Sequence, residues 1–231
     1  MIKEGEIIII NGTSCSGKTT LAREIQGAAR KPYISTGHDD FLPMFPGRYV
    51  GIEKTVQPEI ATWPEPGNAL SSMGFEVILT RPGDPPEFNF SCGPVGWNML
   101  AGMHRAFATM ARAGNNLVIA DVISEVPMYD YCAALKEIKT VYLIGIQCPL
   151  PELERREATH ANRTVGGARM QLKKINHPGD YDFTVDTGRD SPEACARQVL
   201  DYIDNNLPRA FAKLVERYGD FEVKQFPVAL W

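Results

Sequence analysis

Short apolar runs alternate along this chain with longer segments whose apolar positions recur every three or four residues. Ile7-Ile8-Ile9-Ile10 is the first such run. A brief β-branched stretch with no polar face predicts a strand covered on both sides, as in a parallel sheet. Tyr33-Ile34-Ser35-Thr36, Leu117-Val118-Ile119-Ala120-Asp121, Thr140–Ile146 and Phe183-Thr184-Val185-Asp186 are the further candidate strands. Between them, Thr20-Leu21-Ala22-Arg23-Glu24-Ile25 opens a helix. Residues 97–113 predict another, closed by Gly114 as a C-cap, and 127–137 a third. Pro149–Thr159 reads as a charged helix and Pro192–Asn205 as a closing helix after a Ser191 N-cap. Strand alternating with helix predicts an α/β fold, a parallel sheet flanked by helices, with ligands gathering at the carboxyl ends of the strands.

Residues 46–96 break this alternation. Prolines and glycines crowd the stretch, yet Phe75-Glu76-Val77-Ile78-Leu79 and Glu87-Phe88-Asn89-Phe90 predict a hairpin. With Trp63 beside Phe75, Phe88 and Phe90, the segment is too aromatic for disorder. It reads as an insertion over one end of the sheet.

Directly after the first strand, Gly12-Thr13-Ser14-Cys15-Ser16-Gly17-Lys18-Thr19 fits the phosphate-loop pattern G-x-x-x-x-G-K-[ST] without a mismatch. Strand, glycine loop and helix form the context that gives the pattern meaning. Gly12 and Gly17 allow a tight turn whose N–H groups converge on an anion, and the helix N-terminus adds partial positive charge. Lys18 is expected to reach the β- and γ-phosphates of ATP and Thr19 to hold Mg²⁺, with Thr20 adjoining them. A glycine-rich turn with an exposed lysine would explain the glycines but not the Lys-Thr pair.

Composition narrows the partners. A formal net charge of −4 argues against a broad nucleic-acid surface. No stretch approaches the apolar length of a membrane span, and the polar start, Met1–Glu6, does not resemble a signal peptide. Cys15, Cys92, Cys132, Cys148 and Cys195 show no C-x-x-C pair, which points to reduced thiols and a cytoplasmic location. A homo-oligomer is possible.

Three further groups carry candidate chemistry. Asp121 closes an apolar strand in the manner of a Walker B carboxylate and is expected to hold Mg²⁺; an ordinary strand-end cap is the alternative. Asp39 and Asp40 follow the second strand, where one could accept a proton from an attacking hydroxyl and the other cap a helix; Asp39 is preferred as the base. Arg155, Arg156 and Arg163 follow the fourth core strand. Helical ion pairs with Glu152, Glu154 and Glu157 explain Arg155 well. Arg163 precedes Thr164-Val165-Gly166-Gly167 and suits a lid that closes over the moving phosphate. Lys173 and Lys174 read as surface charges. His38, His104, His160 and His177 lack metal-binding spacing, although His104 could face the cleft.

Taken in order, these segments resemble the chloramphenicol phosphotransferase family, P-loop kinases that phosphorylate an antibiotic hydroxyl. The likeness is carried by Gly12–Thr19, Gly37-His38-Asp39, Gly93-Pro94, Met103-His104 and Met110–Gly114. It continues through Asp121-Val122, Arg156-Glu157 with Arg163, and Tyr181-Asp182 to Val185-Asp186-Thr187. The resemblance implies a nucleotide-kinase-like P-loop NTPase fold. It matches Asp39 to the catalytic base, and assigns Lys18, Thr19 and Asp121 to nucleotide and Mg²⁺. It puts Arg163 in the lid and places Thr187-Gly188-Arg189-Asp190 beside the adenine. His160 and Asn162 depart from the usual Arg and Asp of the family. On this reading residues 1–231 form a single kinase domain, with an insertion at about 46–92 and a C-terminal extension at about 206–231. The insertion would line the pocket of a small-molecule hydroxyl acceptor, antibiotic-like or a metabolite, and makes chloramphenicol itself doubtful. A nucleotide or metabolic kinase of the same fold, or a non-catalytic ATP-binding regulator, are the rival readings.

Overall fold

The computed structural model describes residues 3–53, 65–83, 86–159, 166–175 and 181–230. Its centre is a five-stranded, all-parallel sheet formed by β1 (Ile7–Asn11), β2 (Tyr33–Thr36), β6 (Asn116–Asp121), β7 (Val141–Gln147) and β8 (Phe183–Asp186) in the order β2-β6-β1-β7-β8. The polyisoleucine strand lies in the middle. Because side chains alternate faces along a strand, its four isoleucines divide between two cores. Ile7 and Ile9 join one buried cluster, and Ile8 and Ile10 the other. All four are fully excluded from solvent, and each such burial contributes roughly 1.5–3 kcal/mol.

The helices cover both faces. α1 (Lys18–Ala28) and α7 (Pro192–Asn205) pack together on the Ile8/Ile10 side, where Leu21, Ala22 and Ile25 meet Cys195, Ala196 and Val199. The expected cap is present: Ser191 Oγ accepts from Ala194 N. α3 (Pro94–Arg112), α4 (Glu125–Leu135) and α8 (Ala210–Tyr218) build the opposite layer. α3 begins three residues before the boundary read from the sequence, because Gly93 caps it and Pro94 supplies a preset first turn. Gly114 at φ 95° then stops it.

The stretch read as an insertion forms most of a second sheet. β3 (Val50–Ile52) pairs with β4 (Phe75–Arg81), which forms the expected antiparallel hairpin with β5 (Glu87–Cys92). The fourth strand, β9 (Val228–Ala229), arrives from the C-terminal extension and pairs antiparallel with β5. Phe75, Val50, Ile52, Val228 and Leu230 share the buried cluster of Ile7, Ile9 and α3. Trp63, His177 and Trp231 lie outside the described residues.

Two helices finish the chain's architecture near the phosphate loop: α5 (Leu150–Thr159) and α6 (Gly167–Ile175). The lid read around Arg163 lies mostly outside the described residues; Gly167, at the end of that stretch, opens α6, and Gly167 and Ala168 are buried at its first turn. The cause is Glu157, whose buried carboxylate accepts from Gly166 N at 2.7 Å and Ala168 N at 2.9 Å. It satisfies two amides that a helix start leaves unpaired. Glu157→Gln is expected to replace one acceptor by a donor and to cost about 1–3 kcal/mol. The loss should appear as a melting temperature several degrees lower; an unchanged melting curve would contradict the capping role.

Candidate active site

The carboxyl ends of β1, β2 and β6 open on one cavity of about 870 Å³. Strand order reverses on either side of β1, and that reversal leaves a crevice above it. The phosphate loop forms one wall. Cys15 and Gly17 adopt left-handed conformations, at φ 61° and 91°, and such alternation turns successive N–H groups inward. Gly12 must lack a side chain, since a Cβ there would sit 2.7 Å from Ser16 Oγ. Ser16 Oγ donates to Thr13 O at 2.8 Å, and Lys18 Nζ donates to the same carbonyl at 2.7 Å. Ser14, Cys15, Gly17, Lys18, Thr19 and Thr20 line the cavity; Gly12, Thr13 and Ser16 are buried behind it.

His38, Asp39 and Asp121 line the same cavity, with Asp121 beside Asn11 on the neighbouring strand. The two adjacent aspartates have separate environments. Asp40 turns back and accepts from Gly37 N at 2.9 Å, capping the short α2 (His38–Phe41). Asp39 is exposed and lines the cavity. Asp121 is buried at the end of β6. One of its oxygens accepts from His38 N at 2.6 Å and the other from the Tyr131 hydroxyl. A Cβ at Gly37 would lie 2.6 Å from Asp121 Oδ1, so this approach needs glycine. Burial first, then the Asp121 charge, pushes the Tyr131 phenol well above its ordinary range and keeps it a donor.

Asn11, at the end of β1, fixes the carboxyl edge from below. Its side chain accepts from Ile123 N at 2.8 Å and donates to Ile123 O at 3.0 Å and to the Tyr181 hydroxyl at 3.1 Å. Arg156 closes the other end. It pairs with Glu152 at 2.7 Å, donates to Thr187 O at 2.7 Å and reaches Cys15 O at 3.4 Å. Thr187 Oγ1 in turn donates to Ser16 O at 2.7 Å. Arg156 thereby ties the phosphate loop to the turn before α7. From α6, buried Gln171 accepts from Ser14 N at 2.6 Å, so the lid-side helix touches the loop directly.

Not every sequence candidate lies here. Arg155 pairs with Glu152 on the outside of α5, as helical spacing predicted. Arg189 is exposed and does not line the cavity, whereas Thr187 and Asp190 do. Arg163, with His160, Asn162, Thr164 and Val165, lies outside the described residues. Asn11, Tyr131 and Gln171 were missed, and Glu157 was read only as a helical ion-pair partner. Their partners lie nine or more residues away, and only Asn11, a polar residue ending an apolar strand, carries a local signal.

Behind Asp121, His104 is fully buried, with Nδ1 2.6 Å from Asp130 Oδ2 and its ring tilted 33° against Tyr131, centroids 3.8 Å apart. It supports the site from the core side and does not line the cavity. Burial holds its imidazole below the ordinary 6.5 despite the carboxylate. Below that value the unfolded chain binds a proton that the folded state resists. Stability is therefore full above pH 6.5 and declines as the pH falls beneath it. Burial pushes the Asp130 carboxyl up, but His104 and Arg105 prevail and hold it below 3.8; its contribution persists above that value and is lost only at lower pH. Melting temperature should thus drop on going from about pH 7 to about pH 5, and the slope should flatten in His104→Gln. Parallel slopes for the two proteins would reject the assignment.

Residues 5–204 match the family described as chloramphenicol phosphotransferase-like protein. The chain belongs to that family. A Mycobacterium tuberculosis protein named as a candidate O-phosphotransferase is 27% identical to this family member over 216 residues, which are 93% of this chain and 90% of that protein. A sugar kinase from Janibacter superposes with a TM-score of 0.55 at 17% identity, covering 87% of this chain and 95% of the other. A gluconokinase from Sinorhizobium meliloti gives 0.50 at 16% identity, covering 93% and 95%. The fold is therefore that of the P-loop small-molecule kinases, a parallel sheet flanked by helices. Among the described residues no helix is long and apolar enough to cross a membrane.

Proposed function

We propose that this family member is an ATP- and Mg²⁺-dependent kinase that transfers the γ-phosphoryl group to a hydroxyl of a small molecule. The observation that carries the reading is the shared cavity: the phosphate loop lies on one wall, and Asp39 and Asp121 line the same space. A protein that only binds nucleotide has no need of a carboxylate on the acceptor side.

The loop amides and Lys18 grip the β- and γ-phosphates, with Arg156 holding the loop in register. Thr19 and Asp121 would hold the metal. The donor set fits a hard cation, because hydroxyl and carboxylate oxygens are the ligands Mg²⁺ prefers, and a carboxylate already accepting two hydrogen bonds keeps lone pairs for a metal-bound water. Mg²⁺, when bound, supplies neutralisation of the phosphate oxygens. Asp39 orients the acceptor hydroxyl and takes its proton. The acceptor oxygen bonds to the γ-phosphorus as the bond to the bridging oxygen breaks, and ADP leaves. Arg163 neutralises charge on the moving group, and the turn with Thr187 and Asp190, which line the cavity, adjoins the base. Net negative charge and cysteines without a C-x-x-C pair support a cytoplasmic enzyme without a nucleic-acid partner, acting as a single kinase domain.

Calorimetry with MgATP, followed by ADP release across a panel of hydroxyl compounds and nucleoside monophosphates, tests the reading. A folded protein that binds no nucleoside triphosphate would overturn it.

A further inference from the structure

The side chain of Asp121 is excluded from solvent although it ends a strand at the ligand edge. A buried carboxylate is tolerated only when its oxygens accept hydrogen bonds. One oxygen accepts from His38 N at 2.6 Å. The other accepts from the hydroxyl of Tyr131, which belongs to α4 on the far side of the Asp121 strand end. A phenylalanine at 131 would bury the same ring in the same core. The hydroxyl is therefore the part of this side chain that packing does not explain.

The ring that carries the hydroxyl packs against two side chains of α3. His104 lies against it with ring centroids 3.8 Å apart, and Phe107 is nearly parallel to it at 6.4 Å. All three side chains are fully buried. His104 is itself pinned, since its Nδ1 is 2.6 Å from a carboxylate oxygen of Asp130, the residue before Tyr131. In a close-packed core a ring so enclosed cannot swing away from its partner. Two helices thus aim one hydroxyl at one carboxylate oxygen.

We propose that Tyr131 is a positioning residue for the metal site: its hydroxyl fixes the orientation in which Asp121 meets the ion. The proposal rests on the kinase reading above, in which Asp121 holds Mg²⁺ beside the phosphate loop. With the hydroxyl removed, Asp121 keeps the tether to His38 N, a backbone donor in the short α2, and its carboxylate is free to rotate. Groups that orient a metal's ligands contribute about 10–100-fold to metal affinity. A hydroxyl that served only to satisfy a buried charge would affect stability and leave the handling of the ion unchanged.

The test uses the full chain as wild type, Tyr131→Phe, Asp121→Asn, the double variant and Phe107→Leu. Calorimetry measures ATP affinity in excess Mg²⁺ and in EDTA, and the ratio is the gain that the ion brings. Thermal melting is followed in parallel. Tyr131→Phe should reduce the gain about tenfold while affinity in EDTA stays as in wild type. The loss should not add to that of Asp121→Asn, because the hydroxyl acts through that carboxylate. Phe107→Leu, a packing change beside the same ring, should lower the melting temperature and leave the gain intact. A wild-type gain in Tyr131→Phe, losses that add in the double variant, or an equal loss in Phe107→Leu would each overturn the proposal. Should Tyr131→Phe fail to fold, NMR of wild type decides. The buried Tyr131 hydroxyl proton should shift when Mg²⁺ joins the ATP-bound protein, and a resonance that ignores the ion would overturn the proposal too. Wild type that binds ATP with no gain from Mg²⁺ would sink the metal assignment and this inference together. Wild type that binds no ATP in either condition would sink the kinase reading itself.

Discussion

Asp39→Asn is expected to lower the rate of phosphoryl transfer by about 10²–10⁴-fold while leaving MgATP affinity within about twofold. The substitution keeps the size and the exposed position at the cavity wall and removes only the proton acceptor. Asp39 lines the cavity from α2 and is not part of the phosphate loop, so nucleotide binding has no reason to change. Asp40 is the built-in control. Its carboxylate is committed to Gly37 N, so Asp40→Asn should weaken α2 modestly and spare most of the chemistry. The measurement is kcat with a turned-over alcohol, alongside the ATP dissociation constant for each variant. Transfer undiminished in Asp39→Asn, or lost equally in both variants, would remove Asp39 from the role of base.

Lys18→Ala is expected to act on both quantities. Losing an ammonium from a phosphate site should weaken MgATP binding by about 10–100-fold, the scale of one charge-assisted hydrogen bond. The rate should fall by a further factor of about 10²–10³, because the same donor stabilises charge that develops during transfer. In this structure the ammonium rests on Thr13 O, a contact within the loop's own backbone. The exchange of that carbonyl for phosphate oxygens gives a further signature: Lys18→Ala should fold with little change in melting temperature when nucleotide is absent. Calorimetry and thermal melting together separate the two effects. ATP affinity equal to that of wild type would count against the phosphate assignment.

The phosphate-loop side of the cavity was legible in the sequence because it is local. Eight consecutive residues, one apolar strand before them and one helix after them determine the loop. Asp121 was legible for the same reason, since a carboxylate closing an apolar strand of a parallel sheet ends at the ligand edge. The choice between Asp39 and Asp40 was not, because both sit at a helix start where either could cap. A hydrogen bond to Gly37 separates them. The capping of α6 was not legible for a related reason: the acceptors come from Glu157, nine and eleven residues away from the two amides it receives.

By itself the sequence determined the parallel α/β order, the phosphate loop and the place of the strand-end acid, all of which depend on periodicity and on residues within a few positions of one another. Only the tertiary structure decided that Asp39 faces the cavity and that Gln171 touches the loop. It alone showed that Val228 and Ala229 form the fourth strand of a second sheet, whose other strands line the cavity. The physical reason is range: hydrophobic alternation and turn chemistry act between neighbours. The pairing of Val228 with Cys92 depends instead on backbone groups that meet only after the intervening chain has packed.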